Sequence, residues 1–259
     1  MSIKTELDKL FAEWQGQLGT CFTFDGLMYQ NDKTDEQVEQ EWMASPKRVL
    51  FLLKDQHQYD NVNWNEEIRY WLKDLQVDQP GALENKKRNR NLAPPMFNNG
   101  KKARRNFLKP IAFLLWGLSK VEKGADCEFN NVKANLEEVK KFFNSQPFAL
   151  VECKKDPGGR ECKDSILNEH IKKYGDLIKR EIKILNPNMI VCTNKLIYDL
   201  VKRVFPEDEI TEPQKDKFAY HKNSGTFIFN SYHPSARGIS YEKMYEYVIQ
   251  NYREFLKLM

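Results

Sequence analysis

The fold of this chain is decided by the stretch Val49-Leu50-Phe51-Leu52-Leu53, which follows Ser45-Pro46 and runs into Lys54-Asp55. A run this short and this apolar is typical of a β-strand that is buried on both faces. Three further runs of the same kind follow along the chain, namely Pro147–Val151, Asn188–Cys192 and Thr226–Asn230. Helical patterns alternate with them, which predicts an α/β domain whose central sheet has four mostly parallel strands flanked by helices.

These helices are predicted from apolar spacing and from capping residues. A helix near the start of the chain is indicated by Leu7, Leu10, Phe11 and Trp14, and a second, short helix is predicted over about 35–43. Three later helices have the candidate N-caps Asp164, Asn194 and Ser240. Pro110 is expected in the first turn of another helix, because a proline inside a helix removes a hydrogen bond.

The composition favours a folded cytoplasmic protein without a cofactor. Hydrophobic residues make up 41% of the 259 residues, which allows a sizeable core, and no apolar run approaches the length of a membrane helix. The polar N-terminus is unlike a secretory signal. The five cysteines form no CxxC pair and do not cluster with the histidines, so we expect reduced thiols and neither a metal site nor an iron–sulfur cluster. The predicted architecture is one monomeric domain over 1–259.

The positive charge is concentrated in one irregular segment. Nine basic residues and no acidic ones lie in 85–109, and without those nine the net charge of +4 becomes −5. Concentrated charge of this kind indicates a polyanionic partner, although a solvated basic loop with no partner gives the same pattern. We interpret about 77–105 as a loop insertion that contacts DNA phosphates through Lys101, Lys102, Arg104 and Arg105.

Polar residues follow each of the four apolar runs. They are Asp55 and Gln56, Glu152 and Lys154, Asn194, and His233 with Ser235. Ligands of open parallel sheets bind outside the carboxyl ends of the strands, so these side chains are candidates for one site. Polar residues are also common in any loop after a strand, and Asn194 in particular suits a helix N-cap.

One of these strand ends, Ser231-Tyr232-His233-Pro234-Ser235-Ala236-Arg237, resembles the second motif of the uracil-DNA glycosylase superfamily. The resemblance implies that His233 donates to the base oxygen that gains charge as the glycosidic bond breaks. It also implies that Arg237 enters the DNA stack and that Ser235 contacts DNA. An arginine at this position is similar to the single-strand-selective branch of the superfamily.

Further stretches support this resemblance from about Val49 to the C-terminus. Leu50–Gln58 is similar in layout to the first motif of the family, which implies that Asp55 positions the attacking water and stabilises the cationic sugar, with Gln56 beside the substrate. This loop departs from the family at Leu53, Lys54, Gln56 and His57. Leu185–Val191 looks like the helix-to-strand segment of the superfamily, and Pro95-Met96-Phe97 resembles the segment whose Phe stacks on the extruded base.

Glu152 is the departure that bears on the substrate. The family has an Asn at the matching strand end, whose amide both accepts from and donates to uracil. An ionised carboxylate only accepts, so Glu152 would oppose the uracil 4-oxygen and suit a base that presents an N–H donor. The alternative is a Glu152 that pairs with Lys154 or Lys155.

The sequence therefore predicts a DNA glycosylase-like hydrolase of DNA repair that flips out and excises a damaged or modified base other than ordinary uracil. Asp55 and His233 are the expected catalytic residues, and Gln56, Phe97, Glu152 and Asn194 are the expected substrate-binding residues. The alternative is a non-catalytic nucleic-acid-binding module on the same fold, with a decayed pocket.

Overall fold

The computed structural model describes residues 2–19, 22–29, 33–57, 66–70, 72, 105–121, 127–158, 162–236 and 238–257. The helices in these ranges are α1 Ile3–Leu18, α2 Asp35–Ala44, α3 Arg105–Val121, α4 Phe129–Ala134, α5 Leu136–Ser145, α6 Asp164–Leu185, α7 Lys195–Lys202 and α8 Tyr241–Leu256. The strands are β1 Thr23–Phe24, β2 Gly26–Leu27, β3 Val49–His57, β4 Glu66–Glu67, β5 Ala149–Gly158, β6 Met189–Cys192, β7 Ile210–Gln214, β8 Phe218–His221 and β9 Thr226–Asn230. None of the helices in the described ranges is both long enough and apolar enough to cross a membrane.

The main sheet has seven strands in the order β2-β5-β3-β6-β9-β8-β7, and β1 pairs separately with β4. Its four central strands, β5, β3, β6 and β9, come from the four predicted runs and pair in parallel. The expected four-stranded sheet is thus incomplete, because β2, β8 and β7 extend it at both edges through antiparallel pairing. These additions were missed because β2 has only two residues and β7 contains Pro213 and is at most half-buried.

Two hydrophobic layers cover the sheet. Side chains of β3 alternate between them, with Val49, Phe51 and Leu53 on one face and Leu50 and Leu52 on the other. Helices α3, α4, α5 and α8 pack on the first face, which we call the α3 face. Helices α1, α2, α6 and α7 pack on the second face, which we call the α6 face. Strands buried on both sides explain why the four central runs are continuously apolar.

The local signals for helices are mostly confirmed. The four apolar residues predicted on one face of α1 are all buried, and α2 begins with a capping box between Thr34 and Gln37. Asn194 and Ser240 cap α7 and α8 as predicted, whereas the prediction for Asp164 is wrong, since it is the first residue of α6 and Lys163 is at the cap position. The prediction for Pro110 is wrong, since α3 begins at Arg105 and the proline lies inside the helix. The helix extends upstream of Pro110 because Phe107 and Leu108 already pack in the core on the α3 face.

The strand order predicts a ligand-binding opening beside β3. From β3 the chain continues to β5 on one side and then to β6 on the other side. Neighbouring strands whose connections leave in opposite directions leave an opening at their carboxyl ends, and this is where open α/β sheets bind ligands. The carboxyl ends of the four parallel strands β5, β3, β6 and β9 lie along this edge of the sheet.

Candidate active site

An ion pair between β3 and β5 marks the carboxyl edge of the sheet. Asp55 and Lys154 are register partners, so their side chains leave the sheet on the same face. Their Oδ2 and Nζ atoms lie 4.0 Å apart, and the side chains are only 10% and 8% exposed. The Lys154 Nζ also lies 3.1 Å from Oδ2 of Asp156. The predicted catalytic carboxylate is therefore largely buried and shares its surroundings with an ammonium group.

A second charged contact joins β3 to the start of α6. The Lys54 Nζ lies 2.7 Å from the Asp164 Oδ1, and Asp164 is the first residue of α6. The Asn194 side chain donates its Nδ2–H to the same oxygen at 3.2 Å and accepts from the backbone N–H of Leu196 at 2.8 Å. The amide nitrogen and the amide oxygen of Asn194 thus both have partners within the protein. This is the arrangement of a helix cap and differs from that of an amide left open to a substrate.

Cys162 lies in the same charged surroundings. Burial raises the pKa of its thiol to about 11, and the nearby charge of Asp55 acts in the same direction while Lys154 and Lys54 oppose it. Cys162 is therefore a neutral thiol at neutral pH. Free thiols, as predicted, are also found at Cys127, Cys153 and Cys192, all of which are buried.

His233 lies in the turn after β9. Its Nδ1 accepts from the backbone N–H of Ser235 at 3.1 Å, and its carbonyl accepts from the backbone N–H of Ala236 at 2.8 Å. Burial lowers the pKa of the imidazole to about 4, and the positive charge of Lys54 lowers it further. The ring is therefore neutral at pH 7, and because Nδ1 is an acceptor, Nε2 carries the proton and can donate it.

Lys54 links the two predicted catalytic residues. It precedes Asp55 on β3, and its charge acts on His233 after β9. The ring of Phe107, from α3, lies 6.0 Å from the His233 ring. Asp55 and His233 thus both lie toward the carboxyl edge of the sheet, and Lys54 adjoins the first in sequence and acts on the second through its charge. The sequence analysis did not assign a role to Lys54, although its position directly after a buried strand was a usable signal.

Glu152 is 3% exposed and lies opposite Leu53 in the β3–β5 register. Its backbone N–H donates to the Asp25 Oδ2 at 2.7 Å. The Glu152 position is two residues before Lys154, so both side chains lie on the same face of the strand. The predicted base-reading carboxylate is therefore on the Asp55 side of the sheet, close to its carboxyl edge.

The two lysines considered as partners of Glu152 form other ion pairs. Lys154 pairs with Asp156, as described above. Lys155 points to the opposite face, where its Nζ bonds to Asp25 and lies 2.8 Å from the Glu181 Oε2. All three of these side chains are fully buried, so Lys155 belongs to the core.

Ser231 was missed by the sequence analysis and is a further polar group near the edge. It directly follows β9, is 8% exposed, and its Oγ has no hydrogen-bond partner among the described residues. Ser231 and Phe229 are two positions apart and so lie on the same face, which for Phe229 is the α3 face. The usable signal was its position two residues before His233.

Five of the predicted site residues lie outside the described residues. They are Phe97, Lys101, Lys102, Arg104 and Arg237. Gln56 belongs to β3 and Arg105 begins α3, and for these two residues the structure describes only the backbone. Ser235 is exposed.

The arrangement supplies a buried carboxylate and a neutral N–H donor at one edge of the sheet. In the described part of the chain no three histidine, cysteine, aspartate or glutamate side chains are grouped to hold a metal ion. No protein-family model matches the sequence, and no curated protein matches it. The chemistry of this edge is therefore the basis for a functional assignment.

Proposed function

We propose that this chain is a divergent uracil-DNA glycosylase-like enzyme that hydrolyses the N-glycosidic bond of a damaged or modified base in DNA. The observation that carries the proposal is the hydrogen bond from the Ser235 N–H to the Nδ1 of His233, which leaves Nε2–H as a donor. A neutral donor at the same sheet edge as a buried carboxylate is suited to a reaction in which the leaving group becomes negative.

The two residues have complementary roles in this reaction. Breaking the bond between the sugar C1′ and the base nitrogen leaves the electron pair on the base and positive charge on the sugar. The Asp55 carboxylate stabilises that positive charge and takes a proton from the water that attacks C1′. The Nε2–H of His233 donates to the base oxygen on which negative charge develops.

The proposed substrate is a base with an N–H donor where uracil has its 4-oxygen. This follows from Glu152, because an ionised carboxylate at that position only accepts hydrogen bonds. A site built to pair a donor discriminates strongly against a base that offers an acceptor, since both buried groups would stay unpaired. Ordinary uracil is therefore a poor substrate in this proposal.

The fold supports the proposal through the position of its motifs. Asp55 and Glu152 lie in the carboxyl-terminal parts of β3 and β5, and His233 follows β9, so the stretches compared with the family come from central parallel strands and share one edge of the sheet. In the proposal, the whole chain is one monomeric cytoplasmic domain, and the basic segment 77–105 contributes phosphate contacts through Lys101, Lys102, Arg104 and Arg105. Salt-sensitive binding to DNA is the expected consequence.

A non-catalytic nucleic-acid-binding module is the second candidate. The observation that favours it is the 4.0 Å separation between the Lys154 Nζ and the Asp55 Oδ2. An ammonium this close to the carboxylate offsets part of the stabilisation that Asp55 gives to a cationic sugar. Binding without base release is the outcome that this candidate predicts.

A panel of modified-base oligonucleotides, with uracil included, separates the two candidates when it is scored for abasic sites. We expect release of at least one base that bears an N–H donor, and Asp55→Asn should abolish turnover while it leaves oligonucleotide binding nearly unchanged, because Asp55 acts on the transition state. An Asp55→Asn variant that excises as fast as the wild type would contradict the proposed role. Binding without excision of any base would favour the second candidate.

A further inference from the structure

A groove lies between the turn that joins β7 to β8 and one face of α8. It encloses about 470 Å³ and is lined by Gln214, Lys215, Lys217, Tyr247, Gln250, Asn251 and Glu254. The four helical residues recur at spacings of three and four, so they form a single stripe on α8. The volume is in the range of pockets that bind small organic ligands.

The groove begins beside the loop that carries His233. Asn230, at the end of β9, donates its backbone N–H to the Lys217 carbonyl at 2.9 Å and its Nδ2–H to the Asp216 carbonyl at 2.7 Å. Tyr232, which directly precedes His233, has its ring centroid 5.5 Å from that of Tyr247. The candidate active site and the groove are therefore neighbours along the carboxyl edge of the sheet.

The charges around the groove favour an anion. Lys215 and Lys217 are exposed, and in the described part of the chain neither has a carboxylate oxygen within 4.0 Å of its Nζ. The Lys243 Nζ lies over the Tyr232 ring at 6.0 Å from its centroid. The intervening Asp216 offsets part of this positive charge, and its Oδ1 lies 3.1 Å from the Nζ of Lys195, which also pairs with Asp199.

Glu254 limits this positive surface at one end of the groove, where its carboxylate accepts a hydrogen bond from Gln214. Tyr247 thus lines the same groove as the two exposed lysines Lys215 and Lys217. Aromatic rings that alternate with basic side chains form the usual binding surface for single-stranded nucleic acids, because each base can stack and each phosphate can be neutralised.

We propose that this groove binds a nucleotide of single-stranded DNA, with its base against Tyr247 and its phosphates at Lys215 and Lys217. The inference deepens the proposed function and rests on it, because the nucleotide is the one next to the target base in the candidate active site. A single strand is inferred because stacking on Tyr247 needs an exposed base face, which a duplex hides.

The test compares groove variants by fluorescence anisotropy of a labelled single-stranded oligonucleotide over a range of salt concentrations. Lys215→Gln with Lys217→Gln should lower the slope of log affinity against log salt by about 1.4, since each phosphate contact on a single strand contributes about 0.7. The matched control is Lys172→Gln with Lys183→Gln, two exposed lysines on α6 at the opposite face of the sheet, and it should leave the slope unchanged. Tyr247→Leu should weaken binding about tenfold, whereas Tyr247→Phe keeps the stacking ring and the affinity.

Three outcomes would overturn the inference. They are groove variants that bind like the α6 control, a wild type that binds no single strand, and equal losses for the groove variants on single-stranded and duplex DNA. The proposed function fails separately, because it is scored by abasic sites and not by anisotropy. Groove-dependent binding without base release would refute the glycosylase and keep the groove, while base release with a groove-independent slope would do the reverse.

Discussion

Two histidines of this chain are held neutral by burial, one in the candidate active site and one in the adjoining core. Burial lowers the pKa of both His233 and His170 to about 4, and Asp156 only partly opposes this at His170. The His170 ring lies 4.6 Å from the Tyr174 ring and 6.4 Å from the Trp14 ring, which leaves little room for hydration. A neutral imidazole is thus a consequence of packing at both positions.

The stability of the protein should decrease as the pH falls from 6.5 to 4. In the unfolded chain both histidines titrate near pH 6.5, so in this window the unfolded state binds protons that the folded state excludes. Each histidine then lowers the free energy of unfolding by up to about 1.4 kcal/mol per pH unit. Urea denaturation at a series of pH values measures this slope, and His170→Gln should reduce it. A His170→Gln variant with the wild-type slope would show that His170 is protonated in the folded protein.

At the scale of secondary-structure elements, the sequence predicted the strands that are buried on both faces and the helices that have local capping residues. Strands β3, β5, β6 and β9 were recognisable because burial on both faces requires continuous apolar residues. The antiparallel edge strands lack that pattern, and β7 even contains Pro213. The same limit applies to the site, because Asp55 and His233 follow predicted strands, whereas the pairing of Asp55 with Lys154 depends on strand register.

The start of α7 gives an element-scale test of Asn194. Asn194→Ala should lower the free energy of unfolding by about 1 kcal/mol, because the Leu196 N–H loses its cap, and oligonucleotide binding should be unchanged. Asn194→Ser keeps a capping oxygen but removes the amide, so its stability should be close to that of the wild type. Thermal unfolding and anisotropy measure the two properties. If the serine variant is stable yet loses oligonucleotide binding or base excision, the amide contacts the substrate as the sequence had suggested.

For the molecule as a whole, a buried charged cluster joins three parts of the chain. Asp25 follows β1, Lys155 belongs to β5 and Glu181 belongs to α6, and all three side chains are fully buried. Burial and the nearby Asp25 raise the pKa of Glu181 well above its usual range, whereas Asp25 and Glu181 raise the pKa of Lys155 against the effect of burial. From the raised pKa of Glu181 we expect that the cluster holds one ion pair, Lys155 with Asp25, and a protonated Glu181.

This assignment predicts unequal effects for two substitutions in the cluster. Lys155→Met leaves the Asp25 carboxylate buried without its cation, so the free energy of unfolding should fall by about 3–5 kcal/mol. Glu181→Gln replaces a protonated carboxyl by an uncharged amide of the same shape, so its cost should stay near the roughly 1 kcal/mol of a single altered hydrogen bond. Urea denaturation at pH 7 compares the variants, and adding Asp25→Asn to Lys155→Met should recover part of the loss because the unpaired charge is removed. A Glu181→Gln variant as unstable as Lys155→Met would mean that Glu181 is ionised in the folded protein and that Lys155 neutralises it together with Asp25.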